Sequence, residues 1–315
     1  MNRKKVLISG GVVIAVLAAT VAYVLRDPAP VGYFTSGEAA DRFAGAYQEA
    51  MADMPVPDRT IDIRTGYGVV RVYHFSGGPG PPLLLLPGRA SASPVWADNM
   101  PSLLRLCSVY TVDLLGEPGL SIQQRPIATP ADHAQWLHEV VQALPEPEVY
   151  LFGLSFGGWN AMNLAVHRPE KIAGVILLDP ILIFGDLSAG VIWRSIPVAV
   201  TWAPRSWRDD FASWTANDAP VKDVPVARMI EAGLQSYVVK LSAPTRPADD
   251  RLRAVTAPVL LLVAGKSRMH DAAEVAAKAQ ALLPHATVKT YPDASHAING
   301  EHPDEIAADI ATFLS

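Results

Sequence analysis

The sequence GLSFG at residues 153–157 decides the fold, because it places Ser155 between two glycines in a sharp turn. Residues 149–152 before it form an apolar run typical of a buried strand, and residues 159–165 after it can form a helix. A serine at such a strand–turn–helix junction is strained and exposed, and the glycines let strand and helix approach closely. The first helical turn also leaves free N–H groups that can stabilise negative charge. The stretch therefore predicts a nucleophilic serine.

Apolar runs that alternate with amphipathic segments extend this pattern in both directions. Buried strands are predicted at residues 83–86, 109–112, 149–152, 174–178 and 259–263, a last strand at 287–291, and helices at 94–106, 132–144, 271–283 and 303–313. Residues 61–63 and 69–73 predict an antiparallel hairpin. This order indicates the α/β class, with a mostly parallel, doubly wound sheet between helices. Right-handed crossovers then place the loop after each strand at one edge of the sheet.

The domain organisation follows from where this rhythm holds and where it breaks. Residues 61–180 and 258–315 form the predicted core, and residues 26–60 a linker with an N-terminal helix. Residues 181–257 show no clear strand and predict a helical cap at the carboxyl edge of the sheet. Four of the seven tryptophans lie in this interval: Trp193, Trp202, Trp207 and Trp214. They either line an apolar pocket or attach the cap to the core, and the sequence leaves both open.

The N-terminal segment has a different composition. A basic tail at residues 1–5 precedes residues 6–25, which carry no charge. At ~1.5 Å per residue this run spans ~30 Å, the thickness of a bilayer core, and it exceeds the ~7–15 apolar residues of a secretory signal. We therefore expect a single-pass transmembrane anchor with the basic end in the cytoplasm and the catalytic domain outside it. Secretion after cleavage of a signal is the alternative.

Composition excludes several other classes of protein. The formal net charge of −5 leaves no basic surface typical of nucleic-acid binding. Cys107 is the only cysteine, so the chain cannot form an internal disulfide or a cysteine metal site. No H-x-x-x-H or H-E-x-x-H pair occurs, and neither a metal nor a cofactor is predicted.

From about residue 60 to the end, the chain resembles the α/β-hydrolase family, in particular its capped, serine esterase-like members. The stretches that carry the resemblance are residues 85–89, 113–121, 153–157, 178–180 and 293–296. The resemblance implies an α/β-hydrolase fold with a helical cap inserted after the sixth strand. It also implies catalytic roles for the polar residues at the carboxyl edge of the sheet.

The catalytic histidine implied by the resemblance is His296, which follows the last predicted strand by a short loop. A serine hydroxyl needs such a base within hydrogen-bond reach, and the chain order serine, acid, histidine is that of this fold. The acid is less clear, because Arg268 occupies the position where the family most often has it. Asp179, at the end of the sixth strand, is favoured. Asp271 is the alternative, although it also suits the cap of the following helix, and a site without a carboxylate is a third possibility.

An oxyanion hole needs two backbone donors aimed at the tetrahedral intermediate. The resemblance assigns one to Phe156, directly after the serine, and the other to Arg89, with Ala90 as the alternative. These residues predict a serine hydrolase that acts on an ester or related acyl bond of a small molecule with hydrophobic parts. A non-catalytic binding protein on the same fold, a carbon–carbon bond hydrolase and a haloperoxidase-like enzyme remain as alternatives.

Overall fold

The computed structural model describes residues 29–198, 204–283 and 285–315. The strands within these ranges are β1 (Tyr33–Phe34), β2 (Arg59–Thr65), β3 (Gly68–Phe75), β4 (Gly80–Leu86), β5 (Cys107–Val112), β6 (Ile122–Gln123), β7 (Val149–Leu154), β8 (Ile172–Leu178), β9 (Tyr237–Val238), β10 (Val259–Ala264) and β11 (Thr287–Tyr291). The helices are α1 (Gly37–Met51), α2 (Met100–Leu106), α3 (Pro130–Ala143), α4 (Phe156–His167), α5 (Ala189–Val198), α6 (Arg205–Thr215), α7 (Pro225–Ser236), α8 (Asp249–Arg253), α9 (Ala272–Leu282), α10 (Ile298–Glu301) and α11 (Pro303–Leu314).

The main sheet has the strand order β11–β10–β8–β7–β4–β5–β3–β2, with β6 beside β3. Every neighbouring pair from β11 to β5 is parallel. The strands β2, β3 and β6 join it in antiparallel pairs. The loops after β4, β7, β8, β10 and β11 therefore emerge together at one edge of the sheet, where side chains distant in sequence can meet.

The central strands of the sheet are buried on both faces, as their apolar runs predict, whereas the edge strands β2 and β11 are largely exposed. In β4, alternate leucines belong to different clusters: Leu84 and Leu86 pack with α3, α4 and α9, and Leu83 and Leu85 pack with α1, α2 and α11. All six residues of β10 are buried. Cys107 is a free, fully buried cysteine at the start of β5. Helices on both faces thus fix the strand ends that carry the polar residues.

The helix predicted over residues 94–106 is wrong in its length. The structure has a 3-10 turn at Ser93–Trp96, and α2 begins only at Met100. Pro101 lies in the first turn of α2, where its missing N–H and fixed φ are tolerated. This proline marks the true start of the helix, because it would break an α-helix that had begun a turn or two earlier.

Between β8 and β10 the chain forms α5, α6, α7 and the short α8, and we call the first three the cap helices. The interval also contains the short strand β9, which the sequence does not predict; it pairs antiparallel with β1, and Tyr33 lies opposite Val238. Helix α1 packs mainly against α7. The residues just before the core are therefore attached to the cap helices.

The predicted anchor at residues 6–25 lies outside the described residues. Within the described ranges, none of the helices is both long and apolar enough to cross a membrane.

Candidate active site

Ser155 occupies the turn between β7 and α4 with a φ of 54°, in the left-handed region that non-glycine residues rarely adopt. Two glycines make this turn possible. A Cβ atom at Gly157 would overlap the carbonyl oxygen of Leu86, and one at Gly153 would overlap the carbonyl oxygen of Gly157. The local sequence therefore fixes the backbone that aims the serine hydroxyl away from the sheet.

The structure brings Ser155, His296 and Asp179 into one hydrogen-bonded line. His296 Nε2 lies 2.9 Å from Ser155 Oγ, and His296 Nδ1 lies 2.6 Å from Asp179 Oδ2. A carboxylate only accepts, so Nδ1 carries the proton and Nε2 is free to accept from the serine hydroxyl. This is the tautomer that a histidine needs to act as a general base towards serine. The catalytic roles of the three residues stay a prediction.

Asp179 directly follows β8 and is fully buried, with a φ of 40°. Its Oδ2 also accepts from the Ser267 hydroxyl at 2.7 Å, and its Oδ1 accepts from the Ala264 N–H at 3.1 Å. His270 Nε2 lies 3.2 Å from Oδ1. Burial alone would raise the pKa of this carboxyl, but the contacts with His270 and His296 outweigh it and hold the pKa well below its usual value. Asp179 is therefore charged at neutral pH.

The alternative acid, Asp271, does not join this group. Its Oδ1 accepts from the N–H groups of Ala273 and Glu274, so it caps the N-terminus of α9. Arg268, at the position where the resemblance leads one to expect an acid, forms an ion pair with Asp218 and donates to the Trp214 carbonyl. The loop after β10 thus attaches the core to the end of α6.

The two predicted oxyanion donors lie on either side of the elbow. The Phe156 N–H is the first of α4 and has no acceptor within that helix. Among the described residues the Arg89 N–H has no hydrogen-bond partner either. The alternative, Ala90, is engaged, because its N–H donates to Glu117 Oε2 at 2.9 Å. The structure thus leaves Phe156 and Arg89, rather than Ala90, available for an oxyanion.

Several residues that hold this site are not among those predicted from the sequence. Glu117 is buried and accepts from both the Arg89 side chain and the Ala90 N–H, which fixes the turn after β4. Burial raises the pKa of this carboxyl, while Arg89 lowers it in part. Glu301 accepts from the backbone N–H and the hydroxyl of Ser295, so it holds the loop that carries His296. The one available signal for Glu117 is its position in the 113–121 stretch.

The tryptophans of the cap helices divide between the two roles that the sequence leaves open. Trp214 is partly buried against the core and stacks under the guanidinium of Arg268. In contrast, Trp193 and Trp207 are 73% and 47% exposed, and with Phe211 they line a cleft of about 310 Å³. Trp202 lies outside the described residues. One tryptophan therefore attaches the cap helices, and two form an apolar surface on them.

The chain matches the model of the alpha/beta hydrolase family over residues 83–309, and it belongs to that family. The resemblance read from the sequence and the predicted α/β-hydrolase fold are thereby confirmed.

The individual relatives described next share only 23–24% sequence identity with this chain. The chain is 24% identical over 281 residues to the uncharacterized carboxylesterase nap of Bacillus subtilis (strain 168). The alignment covers 87% of this chain and 92% of that protein. It is 24% identical over 288 residues to carboxylesterase YbfK of the same organism, with coverages of 89% and 96%. The crystal structure of naproxen esterase (carboxylesterase NP) from Bacillus subtilis superimposes with a TM-score of 0.82 at 23% identity, over 89% of this chain and 99% of that one.

Proposed function

We propose that the protein is a serine hydrolase that cleaves carboxylic esters through an acyl-enzyme on Ser155. The observation that carries the proposal is the line of two hydrogen bonds from Ser155 Oγ through His296 to the buried Asp179. Similarity to the two Bacillus subtilis carboxylesterases supports an ester as the substrate class.

The geometry supports a two-step reaction. Ser155 Oγ attacks the ester carbonyl carbon while His296 Nε2 takes the hydroxyl proton, and Asp179 stabilises the imidazolium that forms. The N–H groups of Phe156 and Arg89 hold the resulting oxyanion. Collapse of the intermediate expels the alcohol, which receives the proton from His296. A water molecule then attacks the acyl carbon with His296 as base, which releases the acid and restores the serine.

The cap helices favour a substrate with hydrophobic parts. The main-chain N–H of His296 donates to the Thr215 carbonyl at 3.3 Å, so the end of α6 lies against the loop of the proposed base. The same helix presents Trp207 and Phe211 to the cleft described above. Aromatic side chains there offer apolar area to an acyl or alcohol group, beside the charged Arg194 and Asp210 that also line the cleft.

Labelling with a fluorophosphonate tests the reaction class. We expect the probe to phosphonylate Ser155 in the folded protein, with the site located by mass spectrometry of the digested chain. Ser155→Ala should not be labelled, and Ser315→Ala, which alters an exposed serine after α11, should label as wild type does. Folded protein that stays unlabelled, yet binds esters unchanged, would instead indicate a non-catalytic binding protein.

We also propose that residues 6–25 anchor the chain in a membrane, with the hydrolase domain outside the cytoplasm. The support is the charge-free run behind Arg3, Lys4 and Lys5. Full-length protein should remain with membranes after alkaline carbonate extraction, and the double variant Val16→Lys/Leu17→Lys should not, since charges near the bilayer centre are strongly disfavoured. Recovery of intact wild type without detergent would contradict the anchor. A chain shortened at its N-terminus would indicate a cleaved signal.

A further inference from the structure

Asp179 lies between two histidines, and the proposed reaction uses only one of them. His296 meets Oδ2, while His270 Nε2 lies 3.2 Å from Oδ1 on the other side of the carboxylate. We propose that His270 is a positioning residue, which holds Asp179 so that Oδ2 stays aligned with His296 Nδ1. This inference rests on the proposed function, because it assigns a role within the same site.

The surroundings of His270 favour this role over simple packing. The residue is 6% exposed, in the loop between β10 and α9, and its imidazole turns a nitrogen rather than a carbon edge towards the carboxylate. The nitrogen approaches at an angle outside good hydrogen-bond geometry, so the contact is mainly electrostatic. A neutral imidazole that faces a carboxylate must carry its proton on Nε2, since the oxygen only accepts.

The carboxylate depends on this contact because its two oxygens are held unequally. Oδ2 has two side-chain donors, His296 and Ser267. Among the described residues, Oδ1 has only the Ala264 N–H at 3.1 Å besides His270. Without His270 the charge on Oδ1 would lack a side-chain partner in a fully buried position, and the Ala264 N–H alone would hold this oxygen against rotation about the Cβ–Cγ bond. Rotation would misalign the hydrogen bond to His296.

The loop after β10 therefore positions the carboxylate of the site without supplying it. It does not place a carboxylate at the site, since Asp271 caps α9 and Arg268 points to Asp218. It supplies two polar side chains, Ser267 and His270, that hold the carboxylate coming from β8. The titratable groups that face Asp179 among the described residues are His270, from this loop, and His296, from the loop after β11.

The test compares His270→Leu, which removes the donor at similar volume, with His270→Gln, whose amide nitrogen reaches about as far as Nε2. We expect His270→Leu to lower kcat for a p-nitrophenyl ester by about 10- to 100-fold, with KM within about twofold, because the buried charge on Oδ1 loses its side-chain partner. The acid limb of its kcat/KM profile should also move to lower pH, because a misaligned carboxylate stabilises the protonated form of His296 less. His270→Gln should retain kcat within about threefold. His138→Leu, at a partly buried histidine on α3, is the control for loss of a histidine.

A second readout separates this inference from the proposed function. The low-field proton NMR signal of His296 Nδ1–H, identified by its loss in Asp179→Asn, reports on the alignment whether or not the protein hydrolyses esters. We expect His270→Leu to shift or broaden this signal and His270→Gln to keep it. A folded His270→Leu with the wild-type signal, kcat and pH profile would overturn the inference. If His270→Leu does not fold, His270→Asn, whose amide stops short of Nε2, replaces it, and equal signals and kcat in the Asn and Gln variants would overturn the inference.

Discussion

The strands β7 and β8 are neighbours in the sheet, and the residue after each of them has a positive φ. Ser155 and Asp179 have φ values of 54° and 40°, both in the left-handed region. The surroundings of these two residues differ. Within the described ranges the serine hydroxyl has one side-chain partner, His296. The aspartate carboxylate has four polar neighbours and no exposed surface.

The residues at the two strand ends have different requirements. A nucleophile must be strained outward so that a substrate can reach it, whereas the acid must be sealed so that its charge acts on the histidine alone. Ser155 is 7% exposed at the end of β7, whereas Asp179 at the end of β8 has no exposed surface.

The largest effect on activity is expected at His296, which contacts the residues at both strand ends. His296→Ala removes the ring that contacts both Ser155 and Asp179, and we expect kcat/KM for a p-nitrophenyl ester to fall by roughly 10⁴-fold or more. His285→Ala changes an exposed histidine and should stay within about twofold of wild type. Comparable losses in the two variants would show that the line of hydrogen bonds is not what carries activity.

The elbow itself is tested by Gly157→Ala. The added Cβ would overlap the carbonyl oxygen of Leu86, so we expect a loss of about 3 kcal/mol in the free energy of unfolding. The matched control is Gly45→Ala on α1, where no heavy atom lies within 4 Å of the added Cβ. That change should stabilise the protein by about 0.5–1 kcal/mol. Urea unfolding measures both, and a Gly157→Ala variant as stable as wild type would contradict the close approach of β4 and α4.

Beneath the elbow, His133 makes stability depend on pH. Its ring meets those of Phe156 and Trp159 edge-on, and burial lowers its pKa from 6.5 to about 4. Between these values the unfolded chain binds a proton that the folded chain does not, so this contribution is complete above about pH 6.5 and is lost towards pH 4. Relative to His133→Phe, wild type should lose on the order of 3 kcal/mol over that range. A difference that stays constant with pH would contradict a neutral, buried His133.

The smallest effect is expected at Asp271, in the loop after β10. Asp271→Ala removes the cap of α9 and should cost about 1 kcal/mol of unfolding free energy, measured by thermal or urea unfolding. Its kcat/KM should stay within about twofold of wild type. Asp271→Asn, which keeps a good capping side chain, should match wild type in stability as well. Loss of activity in a stable Asp271→Asn variant would give this residue a catalytic role.

The sequence reveals the β7 end more completely than the β8 end, for a physical reason. The elbow is defined by neighbours within a few residues, so its glycines and flanking runs are visible in one stretch. The site of Asp179 is assembled from Ala264, His270 and His296, which lie far along the chain. Asp179 and Asp271 both follow strands that open at the same sheet edge, and only the folded backbone decides which of them faces the histidine.

The same distinction holds elsewhere in the fold. Strand β11 coincides with its predicted range because its pattern is local. The pairing of β1 with β9 joins Tyr33 to Val238, and no local pattern announces such a contact. The break at Ser93–Trp96 is different, because Pro101 gives a local signal for a later start of α2.

We infer that Asp179, rather than Asp271, acts on His296. The direct test is to measure kcat/KM for p-nitrophenyl butyrate in Asp179→Asn and Asp271→Asn, each verified as folded. We predict a fall of roughly 10³- to 10⁴-fold for Asp179→Asn, because the amide no longer holds the imidazole in the required tautomer, and a change of less than about threefold for Asp271→Asn. Full activity in Asp179→Asn together with a large loss in Asp271→Asn would contradict the account.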